Sequence, residues 1–158
     1  MNRLVPSSLV LTAAVLVGIA VEEGFVGRAY TPVKGDVPTI GFGTTSGVNQ
    51  GDTISPERAL VRLLNDADKF TQSVKRCAPV PMHQYEFDAY VSLTYNIGPT
   101  AFCNSTLVKK LNAYDYEGAC KEILRWDKFK GQALKGLTLR RQREYNLCIG
   151  NADNTHLT

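Results

Sequence analysis

The chain has 158 residues, enough for one domain with a buried core and too few for two comfortable ones. Hydrophobic residues make up 44% and charged residues 21%, a balance typical of folded globular proteins that excludes wholesale disorder. The net charge of +3 is mild and favours approach to an anionic surface, but no basic stripe with interleaved aromatic residues indicates nucleic-acid binding.

The first predicted element is an uncharged apolar stretch, Leu9 to Val21, which extends back to Leu4 with a few small polar residues. Residues 4–21 are close to the lower limit of about 20 apolar residues that a membrane-spanning helix needs. Three interpretations are open: a cleaved signal peptide ending near Ala20, a buried core helix, and an uncleaved export signal that later leaves the membrane. The residues alone favour the signal peptide, because Gly18-Ile19-Ala20 has the small-x-small pattern of a cleavage site.

The remaining elements follow in chain order. The apolar helix is predicted to continue from Glu22 to Ala29, and the turn-rich residues 30–48 predict a small β-hairpin or three-stranded sheet. A long helix is predicted from Ser55, its N-cap, to Cys77. Further helices are predicted over 81–96, 105–112, 116–126 and 137–148. The fold class is therefore α+β, with a small sheet beside a mainly helical body.

The cysteines form an even set without a CxxC pair, and the only histidines are His83 and His156, so we expect no metal site. Four buried thiols in a reducing compartment and two disulfides in an exported protein are both open. Four cysteines allow three pairings, between which the spacing does not choose. The four are Cys77, Cys103, Cys120 and Cys148.

Candidate catalytic groups lie in one short window after the apolar stretch. Cleaving a glycosidic bond without a metal needs one protonated carboxyl group and one carboxylate. Glu23 stands where the apolar helix turns polar, and partial withdrawal from water would favour its protonated form. Asp36 lies in a Gly-Asp turn, and the Thr39 hydroxyl can hold a water. Carboxylates in such windows are more often solvated surface groups, so these residues alone support catalysis weakly.

A series of short blocks along the chain resembles phage-type lysozymes, a family of glycoside hydrolases. The blocks are Glu23-Gly24, Ala29-Tyr30, Gly35, Thr39–Thr45 (TIGFGTT), Asp88–Gly98 (DAYVSLTYNIG), Phe102–Leu107 (FCNSTL), Gly118–Cys120, Arg125-Trp126 and Gly136–Glu144 (GLTLRRQRE). The resemblance implies a lysozyme-like α+β fold and hydrolysis of the β-1,4 bonds between N-acetylmuramic acid and N-acetylglucosamine in bacterial peptidoglycan. It also implies that the enzyme needs no cofactor, and we expect a monomer.

The resemblance assigns roles to individual residues. Glu23 would be the proton donor and Thr39 the residue that orients water. The acidic residue of the family usually stands two positions after the tyrosine, where this chain has Pro32, so the second carboxylate is assigned to Asp36. Substrate contacts are expected from four further residues, which are Gly41, Asn96, Thr106 and Arg141.

Some endolysins similar to this chain carry a signal-arrest-release segment, which is exported without cleavage and later leaves the membrane. Residues 1–21 resemble one, with residues 22–158 as the catalytic domain, and this favours retention over cleavage. The protein would then be tethered to the inner membrane through residues 4–21 and afterwards released into the periplasm. There the preferred disulfide joins Cys120 to Cys148, and Cys77 would pair with Cys103.

Two alternatives remain open. One is a lytic transglycosylase of similar fold, which uses one glutamate and no second acid and is favoured by the displaced aspartate. The other is a non-catalytic protein that binds the wall or is tethered to the membrane.

Overall fold

The structure is a computed structural model that describes residues 2–151, so His156 and the end of the predicted 22–158 domain lie outside the described residues. The chain divides into two compact units. Residues 13–69 form one, here called the hairpin unit. The residues before 13 and those from 70 onward form the other, here called the helical unit.

The hairpin unit begins with helix α1 (Ala13–Glu23), followed by strands β1 (Val26–Tyr30) and β2 (Thr39–Gly41). The predicted continuation of the helix to Ala29 is wrong. Gly24 adopts φ +70° and its N–H donates to the Ala20 carbonyl at 3.0 Å, which is how helices commonly end at a glycine. The chain is therefore free to enter β1 two residues later.

The two strands pair in antiparallel fashion, with Val26 opposite Gly41 and Tyr30 opposite Thr39, and a register irregularity between these pairs. The predicted hairpin is confirmed, although it begins four residues before residue 30. Instead of a third strand, a single bridge joins Arg28 to Thr53. A small apolar cluster lies behind the strands, made of Ala29, Ile40, Val48 and Ile54.

Helix α2 (Pro56–Cys77) has the predicted bounds. The Ser55 hydroxyl accepts from the Arg58 N–H at 3.4 Å, as expected of an N-cap. The helix buries Ala59, Leu63 and Ala67, which are spaced four residues apart and therefore share one face. Residues 56–69 belong to the hairpin unit and residues 70–77 to the helical unit.

The helical unit contains α3 (Gln84–Ile97), α4 (Pro99–Cys103), α5 (Thr106–Asn112), α6 (Tyr116–Glu122) with a 3₁₀ turn (Ile123–Arg125), and α7 (Lys135–Cys148). A small hairpin of β3 (Lys128–Phe129) and β4 (Gln132–Ala133) precedes α7. The predicted helices are present with shifted ends, whereas α4 and this second hairpin were not predicted. The core centres on α3, where Phe87, Tyr90 and Leu93 are fully buried.

The amino-terminal residues pack on the helical unit instead of extending α1. Pro6–Ser8 form a 3₁₀ turn, and Leu9 is 0% exposed within the core of this unit. Leu4 and Met82 exchange two backbone hydrogen bonds of 2.7 and 2.9 Å. The Arg3 guanidinium forms hydrogen bonds of 3.1 and 2.8 Å with the Glu86 carboxylate. No helix within residues 2–151 has the length and apolarity needed to cross a bilayer.

Both expected disulfides are present. Cys77 at the end of α2 is bonded to Cys103 at the end of α4, with Cα atoms 5.4 Å apart. Cys120 in α6 is bonded to Cys148 at the end of α7, with Cα atoms 5.7 Å apart. Each bond therefore links two helices of the helical unit.

Candidate active site

Glu23 is the last residue of α1, and its side chain is half-buried. The neighbouring Glu22 is exposed, so the two adjacent carboxyl groups have different surroundings. Because the helix ends at Gly24, the backbone of Glu23 is held by helical geometry while the following residues turn toward the hairpin. The position of the Glu23 backbone is therefore well defined.

Thr39 and Gly41 are the ends of β2, and both are buried. The Thr39 hydroxyl donates to the Val37 carbonyl at 3.4 Å, a long bond that leaves its oxygen able to accept from water. Gly41 has φ +67°, and a Cβ there would lie 3.0 Å from the Ala59 Cβ. Close packing of the strand on α2 therefore explains the glycine, and the contact of Gly41 with substrate stays a prediction.

Asp36 lies on the exposed loop 31–38, where its N–H donates to the Val33 carbonyl at 2.9 Å. The register places this loop and Thr39 at the Tyr30 end of β1, whereas Glu23 precedes the Val26 end. The two ends of such a strand are about 13 Å apart at the Cα atoms. Asp36 and Thr39 therefore lie at the same end of the hairpin. For the Asp36 carboxylate to approach Glu23, loop 31–38 would have to fold back along the strand.

A contact that the sequence did not predict fixes the turn after β2. Thr44 is buried, and its hydroxyl donates to Asp66 Oδ2 at 2.8 Å, while Lys69 Nζ lies 3.3 Å from Asp66 Oδ1. Thr44 belongs to the TIGFGTT block, so the sequence alone draws attention to this residue. The sequence does not identify its partner Asp66, which lies 22 residues away on α2 among other polar side chains.

Arg141 is fully buried in the helical unit, in contrast to the surface position that a direct contact with substrate requires. Its Nε lies 2.7 Å from Glu144 Oε2, and its Nη1 donates to Asn96 Oδ1 at 3.0 Å. Ser92 also donates to Glu144, at 2.7 Å. The predicted contribution of Arg141 to substrate binding would therefore have to act through Asn96, whose side chain it orients.

Asn96 and Thr106 are both exposed in the helical unit. Asn96 stands one residue before the end of α3, and Thr106 is the first residue of α5. The N-cap of α5 is Ser105, whose hydroxyl accepts from the Val108 N–H at 3.2 Å, so Thr106 is not needed for capping. Their contacts with substrate stay predictions.

No group of three or more His, Cys, Asp or Glu side chains among residues 2–151 is arranged to hold a metal ion. The candidate chemical groups of the hairpin unit are the carboxyl groups of Glu23 and Asp36 and the hydroxyl group of Thr39. Proton transfer and the positioning of water are the chemistry that such groups can perform without a metal.

Several known proteins are similar to this chain. A family model described as phage lysozyme matches residues 20–144. The endolysin of Acyrthosiphon pisum secondary endosymbiont phage 1 is 44% identical over 110 residues, which cover 67% of this chain and 75% of that protein. The SAR-endolysin of Pseudomonas phage phiKMV is 35% identical over 141 residues, which cover 87% of each chain.

A solved structure, the endolysin from Escherichia coli O157:H7 phage FAHEc1, aligns with a TM-score of 0.79 and 37% identity. The alignment covers 90% of this chain and 94% of that one, which confirms the expected lysozyme-like α+β fold. The family model matches residues 20–144, which is most of the chain. The chain belongs to the phage lysozyme family and is a glycoside hydrolase.

Proposed function

We propose that this protein is an endolysin that hydrolyses the β-1,4 bonds between N-acetylmuramic acid and N-acetylglucosamine in bacterial peptidoglycan. Membership of the phage lysozyme family is the observation that carries the proposal. It is supported by the half-buried Glu23 at the end of α1 and the buried Thr39 hydroxyl at the start of β2. The carboxyl group of Glu23 would donate the proton, and the hydroxyl group of Thr39 would position the water.

In the proposed mechanism Glu23 gives its proton to the glycosidic oxygen as that oxygen leaves the anomeric carbon. Water held by the Thr39 hydroxyl adds to the anomeric carbon. Asp36 acts as the second carboxylate, either by taking the proton that this water loses or by stabilising the positive charge that develops on the sugar ring, in which case the proton passes to solvent. The role of Asp36 requires loop 31–38 to carry the carboxylate toward the bound sugar.

Replacement of Glu23 by glutamine tests the proton donor, and Glu22→Gln is the matched control because it removes a neighbouring carboxyl group in the same helix. We expect Glu23→Gln to lower turbidity clearing of outer-membrane-permeabilised cells by at least about 100-fold, the usual contribution of a general acid. Glu22→Gln should retain activity within about threefold. Equal clearing by both variants would favour the non-catalytic wall-binding alternative.

Asp36→Asn tests the second carboxylate, and the end groups of the products separate hydrolysis from transglycosylation. Hydrolysis should fall by about 100-fold if Asp36 is the second carboxylate, with reducing ends as the products of the wild type. Full hydrolysis by Asp36→Asn would refute the role of Asp36 as second carboxylate but would not affect the role of Glu23 as proton donor. Anhydro-muramyl ends, detected by mass spectrometry of digested peptidoglycan, would instead identify a lytic transglycosylase.

We further propose that residues 1–21 act as a signal-arrest-release segment for the catalytic residues 22–158. The protein would be exported, tethered to the inner membrane through residues 4–21 and then released into the periplasm as a monomer. The name of the relative from phage phiKMV and the two disulfides support this course. Intact mass of the protein recovered from the periplasm tests it, since loss of about 20 residues would show cleavage instead.

A further inference from the structure

The hairpin of β3 and β4 and the start of α7 expose both lysines and large apolar side chains. Every residue from 128 to 136 is exposed. Phe129 is 58%, Leu134 44% and Leu139 50% exposed. Together with Lys128, Lys130 and Lys135, these side chains are here called the lysine–apolar surface.

The charge of this surface is of one sign. Residues 128–143 contain six basic residues and no acidic residue. Arg140 and Arg141 are buried beside Glu144 within the helical unit, whereas Arg143 is exposed further along α7. The three lysines at 128, 130 and 135 are exposed and so give the surface its positive charge.

The turn of the hairpin places Lys130 next to the Phe129 ring. Lys128 pairs with Ala133 and Phe129 with Gln132, so the turn consists of Lys130 and Gly131 alone, at φ +50° and +81°. This is the tight left-handed turn that twisted hairpins favour, although lysine is a costly residue at its first position. Lys130 Nζ lies 5.5 Å from the centre of the Phe129 ring. Lys135 and Leu139 are one turn apart on α7 and extend the surface along the helix.

We propose that the lysine–apolar surface binds the face of a lipid bilayer that contains anionic phospholipids. Phenylalanine and leucine side chains enter the boundary between headgroups and acyl chains, while lysines remain at the phosphates. A purely anionic polymer would satisfy the lysines but would leave three apolar side chains in water. The combination therefore fits a bilayer better than a wall glycan or its peptide. Such binding would hold the folded enzyme beside the membrane independently of residues 4–21.

Vesicle flotation with the full chain tests this binding. The probe is a vesicle of phosphatidylglycerol and phosphatidylethanolamine, compared with one of phosphatidylcholine alone. The test variant is Lys128→Ala/Lys130→Ala, and the matched control is Lys109→Ala/Lys121→Ala, which removes two exposed lysines from α5 and α6. One lysine near an anionic surface contributes about fivefold to partitioning, so the test variant should bind about 25-fold more weakly to the anionic vesicle.

The control should bind within about threefold of the wild type, and Phe129→Ala should weaken the binding that survives high salt. Because the amino-terminal segment is the same in every variant, only the lysine–apolar surface differs between test and control. Hydrolysis of isolated wall sacculi should be unchanged in all three variants. Equal losses in test and control would overturn the proposal, as would a loss of binding to sacculi with no change on vesicles.

Discussion

Replacement of Leu9 by alanine tests whether the amino-terminal residues are a packed part of the folded enzyme. In the structure Leu9 is 0% exposed within the core of the helical unit, although it lies in a stretch that resembles an export signal. It is flanked by the backbone pairing of Leu4 with Met82 and by Thr12, whose N–H and hydroxyl donate to Asp88 at 3.1 and 2.9 Å. The segment is thus fastened on both sides of the leucine.

The size of the effect follows from this burial. Leucine-to-alanine changes at fully buried sites lower the free energy of unfolding by about 2–5 kcal/mol, because apolar contacts are lost and a cavity remains. We take about 3 kcal/mol for Leu9. In a chain of 158 residues, 1 kcal/mol corresponds to a Tm change of about 2–4 °C. Thermal unfolding of the released protein, followed by circular dichroism, should therefore show a Tm lower by about 6–12 °C.

Val10→Ala is the matched control because it removes an apolar side chain from the next residue, which is 63% exposed. Its free energy of unfolding should change by less than about 0.5 kcal/mol. Both variants make the stretch less apolar, so an effect through the membrane would act on both. Equal small Tm changes in the two variants would refute the packing argument and favour a leader or loose tail.

Three further predictions concern the stability of the folded protein and are measured by urea unfolding. Arg141→Ala should cost about 3 kcal/mol because it removes the nearer of the two arginines beside the buried Glu144 carboxylate, whereas Arg125→Ala, in an exposed ion pair, should cost less than about 1 kcal/mol. Burial raises the pKa of Asp88, so the native state keeps this proton to higher pH than the unfolded state does. The contribution of Asp88 to the free energy of unfolding should therefore fall as the pH rises above 3.8, and the difference in pH dependence between the wild type and Asp88→Asn should show this fall. Gly41→Ala should cost about 1 kcal/mol more than Gly35→Ala, because both have positive φ but only Gly41 lacks room for a Cβ.

The helices that were predicted well are those with local signals. The bounds of α2 follow from its serine cap, the proline at its first position and the four-residue spacing of its buried side chains. Pro99 shows the limit of such signals. A proline after a helical stretch is typical of a helix end, yet proline also suits the first position of a helix, and here it begins α4. The hairpin of β3 and β4 was missed because lysine and glycine at a turn do not form one of the common hairpin pairs.

The amino-terminal segment was ambiguous for a different reason. A stretch of apolar and small residues has the same composition whether it lies in lipid or in a protein core. Its fate in the structure depends on partners far along the chain, since Thr12 meets Asp88 and Arg3 meets Glu86, 76 and 83 residues away. Contacts at such separation leave no periodic pattern, so only the folded structure identifies them.

The candidate site shows how register constrains chemistry that sequence motifs suggest. In the proposed mechanism the second carboxylate works with water at Thr39, and Thr39 lies opposite Tyr30, so the loop between the two strands stands at the end of the hairpin where this carboxylate would act. Loop 31–38 supplies that end, and Asp36 is its only acidic residue. Within this loop, only Asp36 could therefore be the second carboxylate of the proposed mechanism. If Asp36 proves dispensable, Thr39 and Glu23 must act without a partner from the loop, and a single-carboxylate reaction follows from the same geometry.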